Sequence, residues 1–298
     1  MATINSALND KLLAQTALEA FTADLLPLSV FTTSYSNEVV RRGATVEVPL
    51  IANLTATTFD NSYESTGGTM NNVSISVDKH QIVTVSLSDT EYSKSSVAEI
   101  TKFATQQGRA LAQAVLTSVF NLFVTTASSA AQYTASVTGA SAFTITNART
   151  LRKALSDDKV PLTDRSLILD SALYDSLLSQ SNLLDASQFG IRDTIAEARV
   201  PRLLGMNVYE SIILPSNSIT LKGMAVHPNA VAVAIRALEP QAPSEYLAAS
   251  VVNDPQSGVT LGYRRHYSAA TGRHFVSFEC VFGHSRAITA GAKLITGA

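Results

Sequence analysis

A mixed α+β fold is predicted by three features of the chain. Apolar residues alternate over 73–87, which reads as extended chain. Apolar residues recur at three-four spacing over 97–122, which reads as a long helix. Short alternating elements then fill most of the remainder. A length of 298 residues gives one large domain or two ordinary ones, with ample core.

Residues 3–26 form an amphipathic helical pattern, with Asn5 or Ser6 as N-cap candidates and Pro27 closing it. Residues 28–43 read as extended and irregular, ending at Arg41-Arg42-Gly43. A two-stranded arm follows. Its first strand, Thr45–Leu50, carries apolar side chains on even positions. Its second carries Val73, Ile75, Val77, Val83, Val85 and Leu87 on odd positions, so all six share one face of a long strand. The residues between are rich in Asn, Thr and Ser and include Gly67-Gly68. An isolated two-stranded hairpin is marginal in water, so this arm needs a surface to lie on, and a neighbouring copy of the chain is the obvious one.

Asp89 or Thr90 can cap the next helix, and Glu91 in its first turn favours the helix dipole. Val97, Ile100, Ala104, Leu111, Val115 and Leu122 continue it, so one helix runs from Glu91 to Val124, about 50 Å at 1.5 Å per residue. Gly108 costs up to about 1 kcal/mol there relative to Ala. A bend or a close backbone contact explains it, or else two shorter helices meet at that point.

Residues 127–145 form a connection with a short strand around Phe143. Asn147–Asp158 is a helix with Leu151 and Leu155 on one face, Leu167–Leu169 a buried strand, and Ser171–Ser179 a helix capped by Asp170. Residues 181–200 read as loop, Met206–Ser211 and Leu221–Val226 as strands, and Asn229–Ala237 as a helix opened by Pro228. The chain ends in a second hairpin. Val259, Leu261 and Tyr263 alternate, a turn lies near Ala270–Gly272, and Phe275–Phe282 is apolar on both faces, as in a central strand. The whole divides into an elongated part (arm, long helix, last hairpin) and a compact insert near 146–257.

Charged residues make up 15% of the chain, below the usual share of about 25%, and Ser, Thr, Asn and Ala replace them. Such a surface suits faces covered by partners. The net charge of −2 gives no basic balance for tight nucleic-acid binding, and Arg41-Arg42 and Arg264-Arg265 read as short solvated or subunit-contact patches. The single Cys280 excludes an internal disulfide, which fits a reducing compartment, and its apolar strand makes it a buried, inert thiol. Asp10, Lys11, Glu19 and Asp24 interrupt any signal-peptide core, and no run reaches the roughly 18 apolar residues of a membrane span.

No catalytic, cofactor or metal constellation emerges. His80, His227, His266, His274 and His284 make no metal spacing, although His266 and His274 could face each other across the last hairpin. Gly283-His284-Ser285-Arg286-Ala287 resembles a nucleophile elbow, but none of the 11 residues after it is Asp, Glu or His. Asp157-Asp158 reads as a turn, and Gly67-Gly68 lacks the lysine and helix of a phosphate loop.

The order of elements carries a resemblance. Leu25-Leu26-Pro27, Ser34–Glu38 and Gly43–Pro49 are similar to the N-arm and extended E-loop of tailed-bacteriophage major capsid (coat) proteins with the Hong Kong 97-like fold. Gly108–Ala112 resembles part of that family's spine helix. Leu221–Ala230 resembles the late axial domain, and Tyr263–Tyr267, Thr271–Arg273 and Glu279–Gly283 resemble the hairpin of the peripheral domain. The co-linear set covers nearly the whole chain, although no single motif is specific.

The resemblance implies four regions: an N-terminal arm at 1–43, an E-loop at 44–90, a peripheral domain at 91–145 with 258–298, and an axial domain at 146–257. It implies hexamers and pentamers tiling an icosahedral shell around double-stranded DNA, assembled as a procapsid and then flattened as DNA enters. Portal and decoration proteins are expected partners, DNA is expected to be touched weakly and non-specifically, and no membrane contact is expected. The chain begins almost at the N-arm, so a separate scaffolding protein is expected rather than a fused one. Its place is the virion capsid, and the host cytoplasm during assembly. Some members cross-link an E-loop Lys to a neighbour's Asn. Here Lys79 and Asn61, Asn71 and Asn72 are present, but Lys79 lies on the strand, so no cross-link is expected. Tyr63, Asn71, Lys79, Glu99 and Arg109 are the candidate subunit-contact residues. Two other readings are an encapsulin-like compartment shell, for which no cargo-docking site is visible, and a soluble α+β hydrolase built on Ser285.

Overall fold

In the computed structural model, residues 2–35, 44–51, 70–94, 97–123, 134–140, 142–180, 200–215, 221–238, 245–255 and 257–297 are described. In chain order, the N-terminal part contains α1 (Ala2–Asp24), a 3-10 turn (Leu26–Val30), β1 (Thr32–Tyr35), β2 (Thr45–Ile51), β3 (Met70–Ser76), β4 (Lys79–Ser88), α2 (Asp89–Lys94) and α3 (Val97–Phe120). The middle contains β5 (Thr134–Val137), α4 (Ile145–Asp157), β6 (Ser166–Leu169), α5 (Ser171–Leu178), β7 (Arg202–Leu203), β8 (Met206–Glu210) and β9 (Leu221–Val226). The C-terminal part contains β10 (Val231–Arg236), β11 (Ala248–Asn253), β12 (Thr260–Ser268), β13 (Arg273–Arg286) and β14 (Ala292–Thr296).

The apolar run of β13 becomes the spine of the first sheet because it is flanked on both edges. It pairs antiparallel with β12, β10 and β4. β11 extends this sheet beside β12, and β1 extends it by a parallel ladder to β10. Val276, Phe278, Cys280 and Phe282 are buried in the core that α1 and α3 also fill. Cys280 is fully buried, and burial pushes its thiol well above the ordinary range, so it is an inert core residue.

α1 and α3 cross at Gly108. A Cβ there would lie 2.3 Å from the Ala17 carbonyl oxygen, so the glycine permits a close backbone contact and the helix runs through it unbroken. Gln107, 3% exposed, donates to the carbonyls of Val83 (3.1 Å) and Val276 (2.9 Å), pinning α3 to two adjacent strands. Of the single helix expected from Glu91 to Val124, the described residues form α2, α3 and a 3-10 turn at Asn121–Phe123, while residues 95, 96 and 124 lie outside the described residues.

The second sheet has the order β5-β14-β9-β6-β8-β7. α4 and α5 pack on it through Leu151, Leu155, Leu173 and Leu177. Thr144 and Asp170 cap the two helices, each accepting from the backbone N–H three residues on. Sheet membership crosses the sequence-based boundaries: β10 and β11 lie within 146–257 but pair in the first sheet, while β5 and β14 lie outside it but pair in the second.

Several expectations are corrected. The long strand over 73–87 is two strands. β3 pairs with β2, whereas β4 leaves the arm and pairs with β13. The two intervening residues, Val77 and Asp78, preserve the odd-even parity, so periodicity cannot register the break. The helix expected over 229–237 is a 3-10 turn at Pro228–Ala230 followed by strand β10, every residue of which is buried. Tertiary burial on both faces outweighs the helical propensity of its alanines. Helix α1 begins at Ala2, upstream of Asn5 and Ser6, and part of the expected irregular stretch is β1. The short strand near Phe143 is Thr134–Val137, while Phe143 is a buried residue just before the α4 cap. The loop reading of 181–199 and the Arg41-Arg42 patch lie outside the described residues.

Candidate subunit-contact surface

The arm is built from seven cross-strand pairs, from Thr45↔Ser76 to Ile51↔Met70. Its root is held at three points. Val77 N–H donates to the Ala44 carbonyl (3.0 Å). Ile75 and Val77 are fully buried against Ala232, Ala234 and Val281, with Val46 and Val73 packed on the same cluster. A Cβ on Gly283 would lie 2.2 Å from the Ser76 carbonyl oxygen, so the glycine is what lets β13 pass under the arm. The alanines of β10 serve the same end, leaving room for Ile75 and Val77.

Helix α3 buries one face and leaves a second along its length. Glu99, Lys102, Gln106, Arg109 and Gln113 recur at three-four spacing and are exposed. Beside them Phe103 is 45% exposed. It lines a hollow of ≈ 480 Å³ with Glu91, Lys94, Glu99 and Lys102. The exposed aromatic ring makes this face a candidate contact surface, with the surrounding charges in the place of a polar rim.

Of the five sequence-based contact residues, Glu99 and Arg109 fall on this exposed stripe. Asn71 lies on the arm, opposite Leu50. Lys79 opens β4 opposite Phe282, and its ammonium lies 3.9 Å from Asp78. Tyr63 lies outside the described residues.

The residues weighed for chemistry and set aside take structural roles. Ser285 sits within β13, paired with Ala232, so the sharp strand-to-helix turn of a nucleophile elbow is not formed. His284 is bonded to the Ser118 hydroxyl (3.0 Å). Burial, with the Lys79 charge adding to it, lowers its pKa to about 4. His266 and His274 do not face each other: His266 stacks on Phe275 and His274 lies against Tyr267. Asp157 pairs with Lys153 and Asp158 with Lys293. Among the described residues no group of three His, Cys, Asp or Glu side chains could hold a metal ion. A cleft of ≈ 600 Å³ between α1 and β11 has Ala14, Leu18, Val252 and Pro255 among its lining residues. No described helix is long and apolar enough to cross a membrane.

Arg264 and Arg265 are not a solvated patch. Strand alternation sends them to opposite faces. Arg264 reaches Glu279 (2.5 Å), which also meets His80 (3.0 Å), and Arg265 reaches Asp10 (3.1 Å). Tyr263 donates to the same Asp10 (2.8 Å), so the pair ties α1 to β12. Sequence reading missed this network. Its one available signal was that two consecutive arginines on a strand must be split between its faces.

No protein-family model matches the chain, and no curated protein matches it in sequence. Solved structures do match in fold. A structure from Mycobacterium phage Che8 aligns at a TM-score of 0.58 and 14% identity, covering 86% of each chain. The capsid structure of cyanophage P-SCSP1u aligns at 0.58 and 14% identity, over 90% of this chain and 86% of that one. The asymmetric unit of the bacteriophage PhiM1 mature capsid aligns at 0.53 and 12% identity, over 90% and 86%. The chain therefore has the fold found in phage capsid structures.

Proposed function

We propose that this chain is the major capsid protein of a tailed bacteriophage, assembling into hexamers and pentamers of an icosahedral head that encloses double-stranded DNA. The observation that carries this reading is the breadth of the likeness, which spans roughly nine-tenths of the chain in structures of phage capsids. In this reading β2–β3 is the root of the E-loop and α3 is the spine helix. The first sheet belongs to the peripheral domain and the second to the axial domain.

The work of the protein is mechanical rather than catalytic. The arm, with Asn71 on its described part and Tyr63 beyond, lies across a neighbouring subunit, and the stripe of Glu99, Phe103 and Arg109 receives a neighbour. The Asn-, Thr- and Ser-rich composition of the arm lets one sequence fit hexamer and pentamer environments. A separate scaffolding protein, a portal and decoration proteins complete the set of partners. Assembly takes place in the host cytoplasm and ends in the virion. Lys79, beside Asp78 at the start of β4, forms no covalent cross-link.

Sedimentation of the purified full chain, followed by negative-stain imaging, tests the reading. Capsomers or megadalton shells are expected, and replacement of 52–69 by a short Gly-Ser linker abolishes them. A monomer under all assembly conditions overturns the proposal.

A further inference from the structure

We infer that the outer face of α4 is a binding site for the phosphodiester backbone of nucleic acid. Arg149, Arg152, Lys153 and Ser156 are exposed at i, i+3, i+4 and i+7, so they form one stripe. Together they line a hollow of ≈ 290 Å³. The opposite face, Ala148, Leu151 and Leu155, is fully buried. From Arg149 to Ser156 the stripe covers about 10 Å of helix axis, and its three cations, Arg149, Arg152 and Lys153, can neutralise up to about three phosphates.

What separates this stripe from an ordinary solvated helix face is Arg165, a fourth cation beneath it. Arg165 is 2% exposed. Its guanidinium donates to the carbonyls of Pro161 (2.8 Å), Arg152 (3.3 Å) and Val160 (2.6 Å), and to the Ser156 hydroxyl (3.0 Å). Ser156 thus links the buried cation to the floor of the hollow. Among the described residues no carboxylate lies within 4.0 Å of Arg149, Arg152 or Arg165. Among the described residues the acid paired within the stripe is Asp157, on Lys153 (2.6 Å). Burial and the adjacent Arg152 both push the Arg165 pKa down, a cost that an anion in the hollow relieves. A net positive patch of this kind in a chain of net charge −2 is a local concentration, not a reflection of composition. The Ser156 hydroxyl, which donates to the Arg152 carbonyl (3.0 Å), is spent on the helix itself, so the planar guanidinium forks of Arg149 and Arg152 are what match phosphate oxygens better than scattered carboxylates.

The inference rests on the shell reading for its biological ligand, since packaged DNA supplies the backbone. It is tested on the full chain before shell closure, with a short fluorescent DNA duplex titrated across salt. Three neutralised phosphates predict a slope of log affinity against log salt of about −2.7. The triple variant Arg149→Gln, Arg152→Gln, Lys153→Gln brings that slope towards zero and weakens binding at low salt at least about tenfold. Thermal unfolding of the variant checks that it is folded; if it is not, Arg149→Gln alone reduces the slope by about 0.9. Lys11→Gln, removing the same charge from α1, leaves the slope in place. A slope that the α4 variants do not change overturns the site. Displacement of the duplex by a polyglutamate peptide at equal charge overturns the nucleic-acid assignment in favour of an acidic protein segment. Imaging of the same preparations scores the shell reading separately: shells with no α4-dependent slope remove only the site, and a monomer with a steep α4-dependent slope removes only the shell.

Discussion

Gly108 of α3 lies directly against the carbonyl of Ala17 on α1, so close that a methyl group would sit 2.3 Å from that oxygen. The contact joins the N-terminal helix to the long helix without side chains between them. Two effects oppose each other when Gly108 becomes Ala. Helix propensity favours alanine by about 1 kcal/mol. The clash is with backbone, which no rotamer change relieves, and overpacking of this kind costs about 1–3 kcal/mol or more. Gly108→Ala is therefore expected to lower the thermal midpoint of the unassembled chain; a raised midpoint means that α1 is not packed there.

Glu279 is 2% exposed and holds Arg264 and His80 from one carboxylate. A Cβ on Gly262 would lie 2.9 Å from Glu279 Cγ, so the absent side chain makes room for that carboxylate. Glu279→Gln leaves the Arg264 charge without its counter-ion and is expected to destabilise by roughly 3 kcal/mol. The double change Glu279→Leu, Arg264→Met is expected to cost less than Glu279→Gln alone, as chemical denaturation would show.

The pKa of His284 is lowered from 6.5 to about 4 in the folded chain. Between those values the unfolded state binds the extra proton. The stabilising contribution is thus complete above about pH 6.5 and is lost as the pH falls through the folded value, by roughly 3 kcal/mol in all. His284→Gln can keep a hydrogen bond to Ser118 without titrating. Stability measured from pH 7 to pH 4 is expected to fall less steeply in that variant; identical profiles would remove His284 as the cause.

Gly283 sets the arm on the sheet. In Gly283→Ala the new methyl would meet the Ser76 carbonyl oxygen at 2.2 Å and Ile75 at 2.9 Å. The body is expected to keep its circular dichroism spectrum while assembly into particles is lost. Normal particles from this variant would show that the arm root tolerates displacement.

The arm shows how far the sequence carries. Alternation over 73–87 identifies the buried face correctly, since Ile75, Val77 and Leu87 are all buried. It does not show that Val77-Asp78 divides the run between two partners, because a two-residue link keeps parity. The Ala-rich run after Pro228 reads as helical, yet it forms β10. Val231, Val233 and Ile235 point into the main core, while Ala232 and Ala234 lie beneath the arm root. Only the neighbouring strands make that distinction. Glu99 and Arg109 are legible as one exposed stripe from helical spacing alone. The basic stripe of α4 is equally legible, but Arg165, sixteen residues after Arg149 in sequence, joins it only through the fold.

Each subunit is expected to lie across its neighbour through the arm and the exposed face of α3. Electron cryo-microscopy of particles formed by the purified full chain tests it most directly. Capsomers or shells are expected, in which the β2–β3 arm of one subunit overlies another and the stripe from Glu99 to Arg109 is covered by a neighbour. Shells in which that stripe faces solvent and the arm folds back on its own subunit would contradict it.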